Sequence, residues 1–426
     1  MKDNYFLRDC LDKIESGLRP AGGVDFESGD IPSLGGENII QKGGISYFPV
    51  KKISISFYNK LIRGIAIDCD VLINKDGANT GKVGFYNNKY YKKAAINEHL
   101  FLLRGKKEIL DQKYLYFVLL SEKGQSQIKR QITGSAQPGL NSSFINYFKL
   151  NIPFLPQQRK IAQILSICDT VIDKTEAAIN KYQDIKKGLM HDLFTRGIDL
   201  KTGKLRPKYE DAPEIYKESE LGMIPIEWEI KEFQEFFKFI SYGFTNPMPE
   251  LDEGPFMVTA ANVINGSINY PKTRKTSQKL FDTILTEKSK PKIGDLLLTK
   301  DGTLGRLAIV DKSNVCINQS VAVIRFNDDI NPLFFKIMLE TPIYQKKMLD
   351  DAGGSTIKHI YITIIDKMLL ALPTTKAERN IISERIELIN MKLQIENDTL
   401  SKYQKLKDGL MQDLLTGKVE VENNTN

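Results

Sequence analysis

The chain has few of the residues that metal centres and disulfide frameworks require. Its 426 residues include only four cysteines and three histidines. All seven are scattered, with no Cys-x-x-Cys pair: Cys10, Cys69, Cys168, Cys316, His99, His191 and His359. Because a zinc site needs clustered ligands, we expect no metal site and interpret these residues as isolated core or surface side chains.

Long hydrophobic runs are also absent. No apolar stretch reaches the about 20 residues that cross a bilayer. The first residues, MKDNYFLRDCLDK, include acidic residues and lack the apolar stretch of a signal peptide. We therefore expect a cytoplasmic protein that does not contact a membrane.

The glycine-rich motifs do not fit a nucleotide or cofactor site. GANTGK (Gly77–Lys82) has three residues between its glycines and Val83 after its lysine, whereas a P-loop needs four residues and a Ser or Thr. No loop resembles a dinucleotide fingerprint that a methyltransferase could use. No Ser/His/Asp or Cys/His arrangement stands out. The sequence predicts a chain that binds no cofactor and does no chemistry itself.

Charge and length set the broad class. The chain carries 60 Lys and Arg against 53 Asp and Glu, a net charge of +7. This balance fits a polyanion such as DNA as partner, because basic side chains displace counterions from phosphates. It fits a merely basic protein equally well. At this length two to four domains are expected.

A long internal repeat organises the chain. KYQDIKKGLMHDLFT begins at Lys181, and KYQKLKDGLMQDLLT, identical at ten of its fifteen positions, begins at Lys402, 221 residues later. Three further blocks correspond: LRDCLDKIESGL with FQEFFKFISYGF, DVLINKDGANTGKVGF with DLLLTKDGTLGRLAI, and INEHLFLLR with INQSVAVIR. A repeat this long indicates a duplicated pair of domains and not a solenoid.

The spacing of apolar residues predicts that each repeat ends in a long helix. Apolar residues step by four and three residues, which predicts two heptad seams. The seam residues are Ile161, Leu165, Ile172, Ile179, Tyr182, Leu189, Ile382, Ile386, Leu393, Leu400, Tyr403 and Leu410. Ile185 and Leu406 are expected to continue the seams. Two matched helices are natural partners, although each could instead pack on its own domain.

The regions before the helices combine short β-like runs with short helical segments. The runs are DVLIN, KVGFY, HLFLL, DLLLT, RLAIV and VAVIRF, and Asp-Gly at 76–77 and 301–302 predicts hairpins. Each region is therefore expected to be an α+β domain. The predicted bounds are 1–155 for the first domain, 156–198 for the central helix, 199–220 for a charged linker, 221–371 for the second domain, 372–417 for the C-terminal helix and 418–426 for a tail.

The whole chain resembles the specificity subunit of type I restriction–modification systems. The resemblance rests on GMIPIEWEI (Gly222–Ile230), GDLLLTKDGTLGR (Gly294–Arg306), GGST (Gly353–Thr356), LPQQRKIAQIL (Leu155–Leu165) and the twin segments KKGLMHDLFT and KDGLMQDLLT. The family usually has Pro-Pro and Glu-Gln near the head of each long helix. This chain departs from that pattern, with FLPQQR in the first copy and ALPTTKAERN in the second.

The resemblance implies two target recognition domains, separated by two helices that form an antiparallel coiled coil with pseudo-two-fold symmetry. Each domain would read one half of a bipartite, asymmetric site in double-stranded DNA. Two modification (methyltransferase) subunits, which carry S-adenosylmethionine, would dock on this non-catalytic chain. Two restriction (nuclease and translocase) subunits would join them.

Polar loops in each domain are the candidate DNA contacts, because such side chains suit phosphates and base edges. The candidates are Asn74, Lys75, Asn79, Thr80, Lys82, Ser135, Gln137 and Asn141 in the first domain, and Thr299, Lys300, Thr303, Arg306, Ser355, Thr356 and Lys358 in the second. Tyr242, Phe244 and Tyr270 could contact bases but more often such aromatics are core.

Three other functions stay open at this point. The chain could be a coiled-coil scaffold that does not bind DNA, or a nuclease whose centre has no recognisable motif. Within the same family, it could serve a methylation-only system. Salt-sensitive DNA binding, cleavage by the isolated chain and neighbouring genes, respectively, would separate these from the main hypothesis.

Overall fold

A computed structural model describes residues 5–21, 23, 29–350 and 359–421. Its contacts divide the chain into two units. Unit 1 is Met1–Ala177 with Asn397–Asn426, and unit 2 is Ala178–Glu396. Both long helices therefore contribute one part to each unit.

Unit 1 contains twelve short strands in its described residues: β1 Tyr5–Phe6, β2 Leu11–Ser16, β3 Ile31–Leu34, β4 Lys52–Ile53, β5 Ile65–Ala66, β6 Val71–Asn74, β7 Val83–Phe85, β8 Ala94–Ile96, β9 Leu100–Gly105, β10 Ile132–Thr133, β11 Gly139–Leu140 and β12 Lys149–Leu150. Its helices are α1 Leu7–Cys10, α2 Ile55–Tyr58, α3 Gln112–Leu120 and α4 Glu122–Lys129. The first long helix, α5, spans Leu155–Thr195 and ends in unit 2.

Unit 2 has a similar set of elements in its described residues. The strands are β13 Ile198–Asp199, β14 Lys204–Leu205, β15 Tyr216–Ser219, β16 Gly222–Pro225, β17 Trp228–Glu232, β18 Phe237–Tyr242, β19 Leu251–Val258, β20 Val263–Ile264, β21 Ser267–Ile268, β22 Arg274–Lys275, β23 Leu296–Thr299, β24 Leu307–Ile309, β25 Val315–Ile317, β26 Val321–Phe326 and β27 Leu369–Pro373. The helices are α6 Gln278–Thr283, α7 Pro332–Leu339, α8 Pro342–Asp350, α9 Ile362–Ile365 and the second long helix, α10, Lys376–Thr416.

A four-stranded antiparallel sheet forms the centre of each unit. The strand order is β2-β9-β6-β7 in unit 1 and β18-β26-β23-β24 in unit 2. The six apolar runs singled out in the sequence all contribute strands to these sheets, and both Asp-Gly pairs follow the first strand of a hairpin. The internal repeat and the α+β class are thereby confirmed.

Both faces of each central sheet are covered, so the inner strand reads as a continuous apolar run. In β6, Val71 and Ile73 pack on the side of α3 and α4, and Leu72 packs on the opposite side. In β23, Leu296 and Leu298 face one cluster and Leu297 faces the other. This is the period-two alternation of a strand between two cores.

The same buried ion pair joins two strands of each central sheet. In unit 1, Nη2 of Arg104 donates to Oδ2 of Asp70 at 2.7 Å. In unit 2, Nη2 of Arg325 donates to Oδ2 of Asp295 at 2.8 Å. Both aspartates are almost fully buried, and a buried carboxylate needs a charged partner. The duplication has therefore kept a contact as well as a topology.

The long helices pack against each other antiparallel within each unit. In unit 1, Ile161 and Leu165 share a core cluster with Met411 and Leu414. Lys407 also forms an ion pair with Asp169 there. In unit 2, Leu193 lies in one cluster with Ile382 and Ile386. In both units the start of one helix therefore contacts the end of the other, as the resemblance implied.

Most residues of the predicted seams are buried or half-buried. Ile161, Leu165, Ile172, Ile179, Ile382 and Ile386 are buried, and Tyr182, Leu189, Leu393, Leu400 and Leu410 are half-buried. Tyr403 is exposed to 36%. The expectation that Ile185 and Leu406 continue the seams is wrong, because they are 44% and 54% exposed. The heptad period drifts on a real helix, so the stripe leaves the interface.

The bounds of the second long helix differ from those expected. Leu372 and Pro373 belong to β27, which pairs with β17. The helix begins only at Lys376, where Oγ1 of Thr375 accepts a hydrogen bond from the amide of Glu378. In α5, by contrast, Leu155 and Pro156 open the helix itself, a position where proline is tolerated.

Residues 199–220 are not the free linker that their composition suggested. They include part of the β13–β14 hairpin, a 3-10 turn at Pro213–Ile215 and strand β15. Arg206 is buried, and its guanidinium binds the carboxylate of Glu378. The segment is folded because this long-range ion pair and the apolar Tyr216 anchor it, which a composition argument cannot reveal.

Candidate nucleic-acid interface

Three chain segments meet at one end of the central sheet of unit 1. They are the β6–β7 hairpin loop, the turn before β9 and the loop around β11, and together they are called the first loop cluster (residues 74–82, 97–99 and 133–141). The amide of Lys75 donates to the carbonyl of His99 at 3.0 Å, and the amide of Gly77 donates to Pro138 at 3.0 Å. The amide of Leu140 donates to Lys75 at 2.6 Å.

Unit 2 builds the same arrangement, called the second loop cluster (residues 299–306, 318–320 and 359–361). The amide of Lys300 donates to the carbonyl of Ser320 at 2.9 Å. The amide of Ile360 donates to the carbonyl of Lys300 at 3.0 Å. The central residues of the pattern, Lys75 and Lys300, occupy equivalent positions in the repeat. The two clusters therefore share a backbone design.

A glutamine on a short helix anchors the hairpin of each cluster, a feature that the sequence reading missed. Nε2 of Gln125 donates to the carbonyls of Gly81 at 3.2 Å and Leu119 at 2.8 Å. Nε2 of Gln345 donates to Gly305 and Leu339, both within 2.9 Å. Gly81 and Gly305 have φ of +88° and +78°, which glycine adopts without strain.

The predicted contact residues of unit 1 fall into two groups. Asn74 is 1% exposed and donates from Nδ2 to the carbonyl of Asp76 at 2.8 Å, so it shapes the loop and cannot reach DNA in this structure. This corrects the expectation for Asn74. The others are half-buried or exposed within the first loop cluster: Lys75, Asn79, Thr80, Lys82, Ser135, Gln137 and Asn141.

Several of these half-buried or exposed polar side chains also hold the loops together. Oγ1 of Thr80 donates to the carbonyl of Gly77 at 2.6 Å. Nδ2 of Asn79 donates to Gly36 at 3.1 Å. Oδ1 of Asn141 accepts from the amide of Ser143 at 2.9 Å and caps the following turn. These partners hold the loops in one conformation, which rigid readout of a base edge requires.

The predicted residues of unit 2 divide similarly. Thr299 is fully buried, and its hydroxyl oxygen accepts from the amide of Arg306 at 2.9 Å, which corrects the expectation of direct contact. Thr303 and Arg306 are exposed and Lys300 is half-buried. Ser355, Thr356 and Lys358 lie outside the described residues.

The aromatic candidates of unit 2 differ in exposure. Tyr242 is about half exposed, and Nζ of Lys300 lies 5.5 Å from its ring centroid. Tyr270 is buried and donates from its hydroxyl to Asp311 at 2.6 Å. Phe244 is half-buried in a small core cluster. Of these three candidates, Tyr242 is therefore the one exposed enough to stack on a base.

Two of the three histidines are not isolated, which corrects the sequence-based interpretation. Nδ1 of His99 lies 2.6 Å from Oδ1 of Asp76. Nδ1 of His359 lies 2.6 Å from Oδ1 of Asp301. Both aspartates belong to the Asp-Gly pairs of the hairpin loops. The repeated Asp-Gly was visible in the sequence, but the partners are 23 and 58 residues away from it.

A second candidate surface lies on the long helices. Ile167 and Leu388 occupy equivalent positions, 221 residues apart, and are 56% and 60% exposed. Ile185 and Leu406 are equivalent in the same way and are also exposed. Unit 1 carries Ile167 with Leu406, and unit 2 carries Leu388 with Ile185. Each unit therefore presents one equivalent pair of exposed apolar side chains, here called the apolar helix pair.

No metal centre is found within the described residues. No group of three His, Cys, Asp or Glu side chains is placed to hold a metal ion in that part of the chain. None of the described helices is long and apolar enough to cross a membrane. The features that repeat between the units are thus loop clusters and helix surfaces.

The comparison with protein families agrees with this repeat. The family model of the type I restriction modification DNA specificity domain matches residues 5–182 and, a second time, residues 225–403. The two matches cover most of the chain. The chain therefore belongs to the family of type I restriction–modification specificity subunits.

Individual relatives extend over nearly the full length. The type I restriction enzyme MjaVIII specificity subunit of Methanocaldococcus jannaschii is 26% identical over 421 residues, which are 96% of this chain and 91% of that protein. The crystal structure of the S subunit of a type I restriction–modification system from M. genitalium has a TM-score of 0.59 at 15% identity and covers 97% of this chain and 95% of its own.

A further solved structure comes from work on complex assembly and conformational transition of the type I restriction–modification system. Its TM-score is 0.54 at 12% identity, and 98% of each chain is covered. At these identities the two solved structures establish the likeness of the fold alone, over nearly the full chain.

Proposed function

We propose that the chain reads a bipartite, asymmetric site in double-stranded DNA, one half with each unit. The observation that carries this proposal is the construction of the same loop cluster twice, on equivalent sheets, from different side chains. Equal backbones place both clusters alike against a duplex, and different side chains give each cluster its own base preference.

The contacts fall into two kinds. Lys75 and Lys82 in the first loop cluster, and Lys300 and Arg306 in the second, are half-buried or exposed cations suited to phosphates. Ser135, Gln137, Asn141 and Thr303 are exposed groups with both hydrogen-bond donors and acceptors, which suit base edges. Tyr242 adds a stacking surface in unit 2.

The apolar helix pairs support docking of two modification subunits. Two equivalent partners need two equivalent surfaces, and the exposed apolar residues on the long helices include one matched pair in each unit. The modification subunits carry S-adenosylmethionine and perform the methyl transfer, and two restriction subunits join them for cleavage. This chain then supplies sequence choice and no catalysis.

Co-expression with the modification subunits tests the proposal. The expected result is methylation of one bipartite motif with a fixed unread spacer, read by sequencing that detects methylated adenine. The purified complex should retain a duplex with that motif, and the affinity should fall steeply with salt. A complex that assembles but neither methylates nor retains DNA would favour the scaffold function. Cleavage only with restriction subunits present separates a restriction system from a methylation-only one.

A further inference from the structure

The two Asp–His pairs of the loop clusters are equivalent at the aspartate and not at the histidine. Asp76 and Asp301 occupy the same position of the repeat, in DVLINKDG and DLLLTKDG. His99 belongs to INEH, and the matching residue in INQS of unit 2 is Ser320. His359 precedes Ile360, whose bond to Lys300 matches that of Leu140 to Lys75, so its unit 1 counterpart is Gly139.

The two aspartates therefore occupy equivalent positions, whereas their histidine partners come from two different places in the fold. The chain has only three histidines, and two of them meet the equivalent carboxylate at the same distance. The third, His191, is exposed on α5 and belongs to neither loop cluster. Because the two histidines are not equivalent in the repeat, common descent does not explain why each hairpin aspartate has a histidine partner. A requirement at the aspartate position explains it.

The requirement follows from charge. Asp76 and Asp301 have side chains that are 40% and 21% exposed in loops that also carry the candidate phosphate contacts. Duplex DNA has one negative charge per about 1.7 Å of its axis, so an ionised carboxylate in such a loop opposes its approach. A protonated imidazole on the carboxylate removes that opposition, and a neutral imidazole does not.

We infer that His99 and His359 belong to the DNA interface, where each binds as an imidazolium that neutralises its hairpin aspartate. This inference rests on the proposed DNA reading. It implies that the protein takes up protons when it binds DNA. Since the charged imidazole is favoured in the complex, affinity is highest at low pH and falls as pH rises through the imidazole range.

Other charged groups face both pairs. Around His99, Nε2 lies 3.6 Å from Oε1 of Glu98, which is ion-paired with Arg19 at 3.3 Å. Glu37 also faces His99 and pairs with Lys51 at 3.2 Å. Burial would raise the pKa of Glu37, but the hydrogen bonds from its own backbone and from Lys51 outweigh burial and lower the pKa.

In the second loop cluster, the described charged neighbour of the pair is Lys300, whose Nζ lies 3.0 Å from Oδ1 of Asp301. Burial would raise the pKa of Asp301, but hydrogen bonds from His359 and Lys300 outweigh it and hold the pKa below its ordinary value. Because Lys300 already offsets part of this carboxylate's charge, loss of His359 should matter less than loss of His99, which sits among carboxylates.

The experiment measures affinity of the complex with its modification subunits for a duplex carrying the methylated motif. Measurements run from about pH 6 to pH 8, around the ordinary imidazole pKa of about 6.5, at constant salt. The variants are H99Q, H359Q, D76N and the double variant D76N/H99Q, with H191Q as the matched control. A duplex lacking the motif gives the nonspecific reference.

For the wild-type complex, affinity should fall with pH by up to about tenfold per pH unit for each proton taken up. H99Q should weaken binding about tenfold at pH 6 and flatten the pH dependence, and H359Q should do the same to a smaller extent. D76N/H99Q should recover the affinity but not the pH dependence, because the carboxylate is gone. H191Q should match the wild type.

Two results would overturn the inference. One is a pH dependence as steep as that of the wild type in both D76N/H99Q and H359Q, which would assign the proton to other groups. The other is a change of the methylated bases in H99Q with an unaltered pH dependence, which would make His99 a neutral base reader. Failure of DNA reading itself is distinct: the wild-type complex would then not prefer the motif at any pH. Recovery in D76N/H99Q also shows that the variant loop is folded.

Discussion

The heads of the two long helices are secured by different chemistry in the two units. In unit 1, the fully buried amide of Gln158 accepts from the amide of Asp111 at 2.9 Å and donates to the carbonyls of Ile109 and Pro153, both at 2.8 Å. In unit 2, the buried carboxylate of Glu378 accepts four hydrogen bonds: from Ile198, from Trp228 and two from Arg206.

The central sheets show the opposite behaviour, since the pairs Asp70–Arg104 and Asp295–Arg325 are retained in both units. The duplication has thus kept contacts where two strands must stay in register, and has replaced them where a helix head meets a loop. The loop clusters follow the second pattern, with one backbone and different side chains. The proposed reading of a different half-site by each unit explains that difference.

Exchange of one reading region should give the largest effect. If residues 7–150 are replaced by the same region of a relative with another specificity, one half of the methylated motif should change completely and the other half should not. The reason is that the loop cluster of unit 1 lies entirely within this range. Methylome sequencing of cells with the chimaera is the measurement. Altered bases in both halves would end the description of the units as independent readers.

Variants of the two apolar helix pairs test partner binding at each unit separately. The double variant I167D/L406D in unit 1 should release one modification subunit, and I185D/L388D in unit 2 should release the other. Each buried Ile or Leu contributes about 1.5–3 kcal/mol, so each double variant should weaken its own site at least 100-fold. Native mass spectrometry should find one modification subunit per chain instead of two.

N180D is the matched control for these variants, since it adds a carboxylate at an exposed polar position of α5. It should retain both partners. If I167D/L406D and I185D/L388D also keep two partners, the exposed pairs do not form the docking surfaces. If one double variant releases both, the two sites depend on each other.

The different contacts of Glu378 and Gln158 predict unequal losses of stability when each side chain is truncated to alanine. Glu378→Ala leaves Arg206 buried with the exposed Glu227 as its remaining ion-pair partner among the described residues, and breaking a buried pair in this way costs about 3–5 kcal/mol. Gln158→Ala removes neutral hydrogen bonds and should cost about 1–3 kcal/mol. Urea unfolding of both variants measures the difference. Equal costs would mean that the charge of the unit 2 network adds no stability.

The charge state of Arg206 supports a larger loss of stability for Glu378→Ala than for Gln158→Ala. Burial alone would lower the pKa of Arg206, but hydrogen bonds to Glu378 and Glu227 outweigh burial and raise it. The guanidinium therefore stays charged in the native state. Glu378→Gln keeps the shape of the side chain and removes its charge. Its free energy of unfolding should lie between those of the wild type and Glu378→Ala.

The strands and long helices could be predicted because their signals are local. The run Val71–Asn74 alternates between two cores within four residues, and the helical period extends over 41 residues in α5. The interactions that fix the candidate site are distant in sequence. Arg206 meets Glu378 across 172 residues, and His359 meets Asp301 across 58. No local pattern encodes such partners, so the folded linker and the Asp–His pairs were missed.

The smallest expected effect concerns the glutamines that anchor the hairpins. Gln125→Ala and Gln345→Ala each remove two hydrogen bonds from Nε2 to carbonyls, one of which belongs to the hairpin glycine. Each bond contributes about 0.5–1.5 kcal/mol net, so the expected loss of global stability is about 1–3 kcal/mol at most. The greater consequence should be local, because Gly81 and Gly305 sit at positive φ and depend on these bonds for their position. Hydrogen exchange should therefore rise in residues 75–82 for the first variant and 300–306 for the second, and in neither case in the other unit.

Gln125→Glu and Gln345→Glu test the same contacts more severely. A carboxylate cannot donate to the two carbonyls, and it adds a negative charge near the proposed DNA interface. These should weaken binding to the motif more than the alanine variants do, by an amount that decreases as salt rises. Unchanged exchange in both hairpins would show that the loops hold their shape without the helix, and that the similarity of the two clusters comes from the hairpins alone.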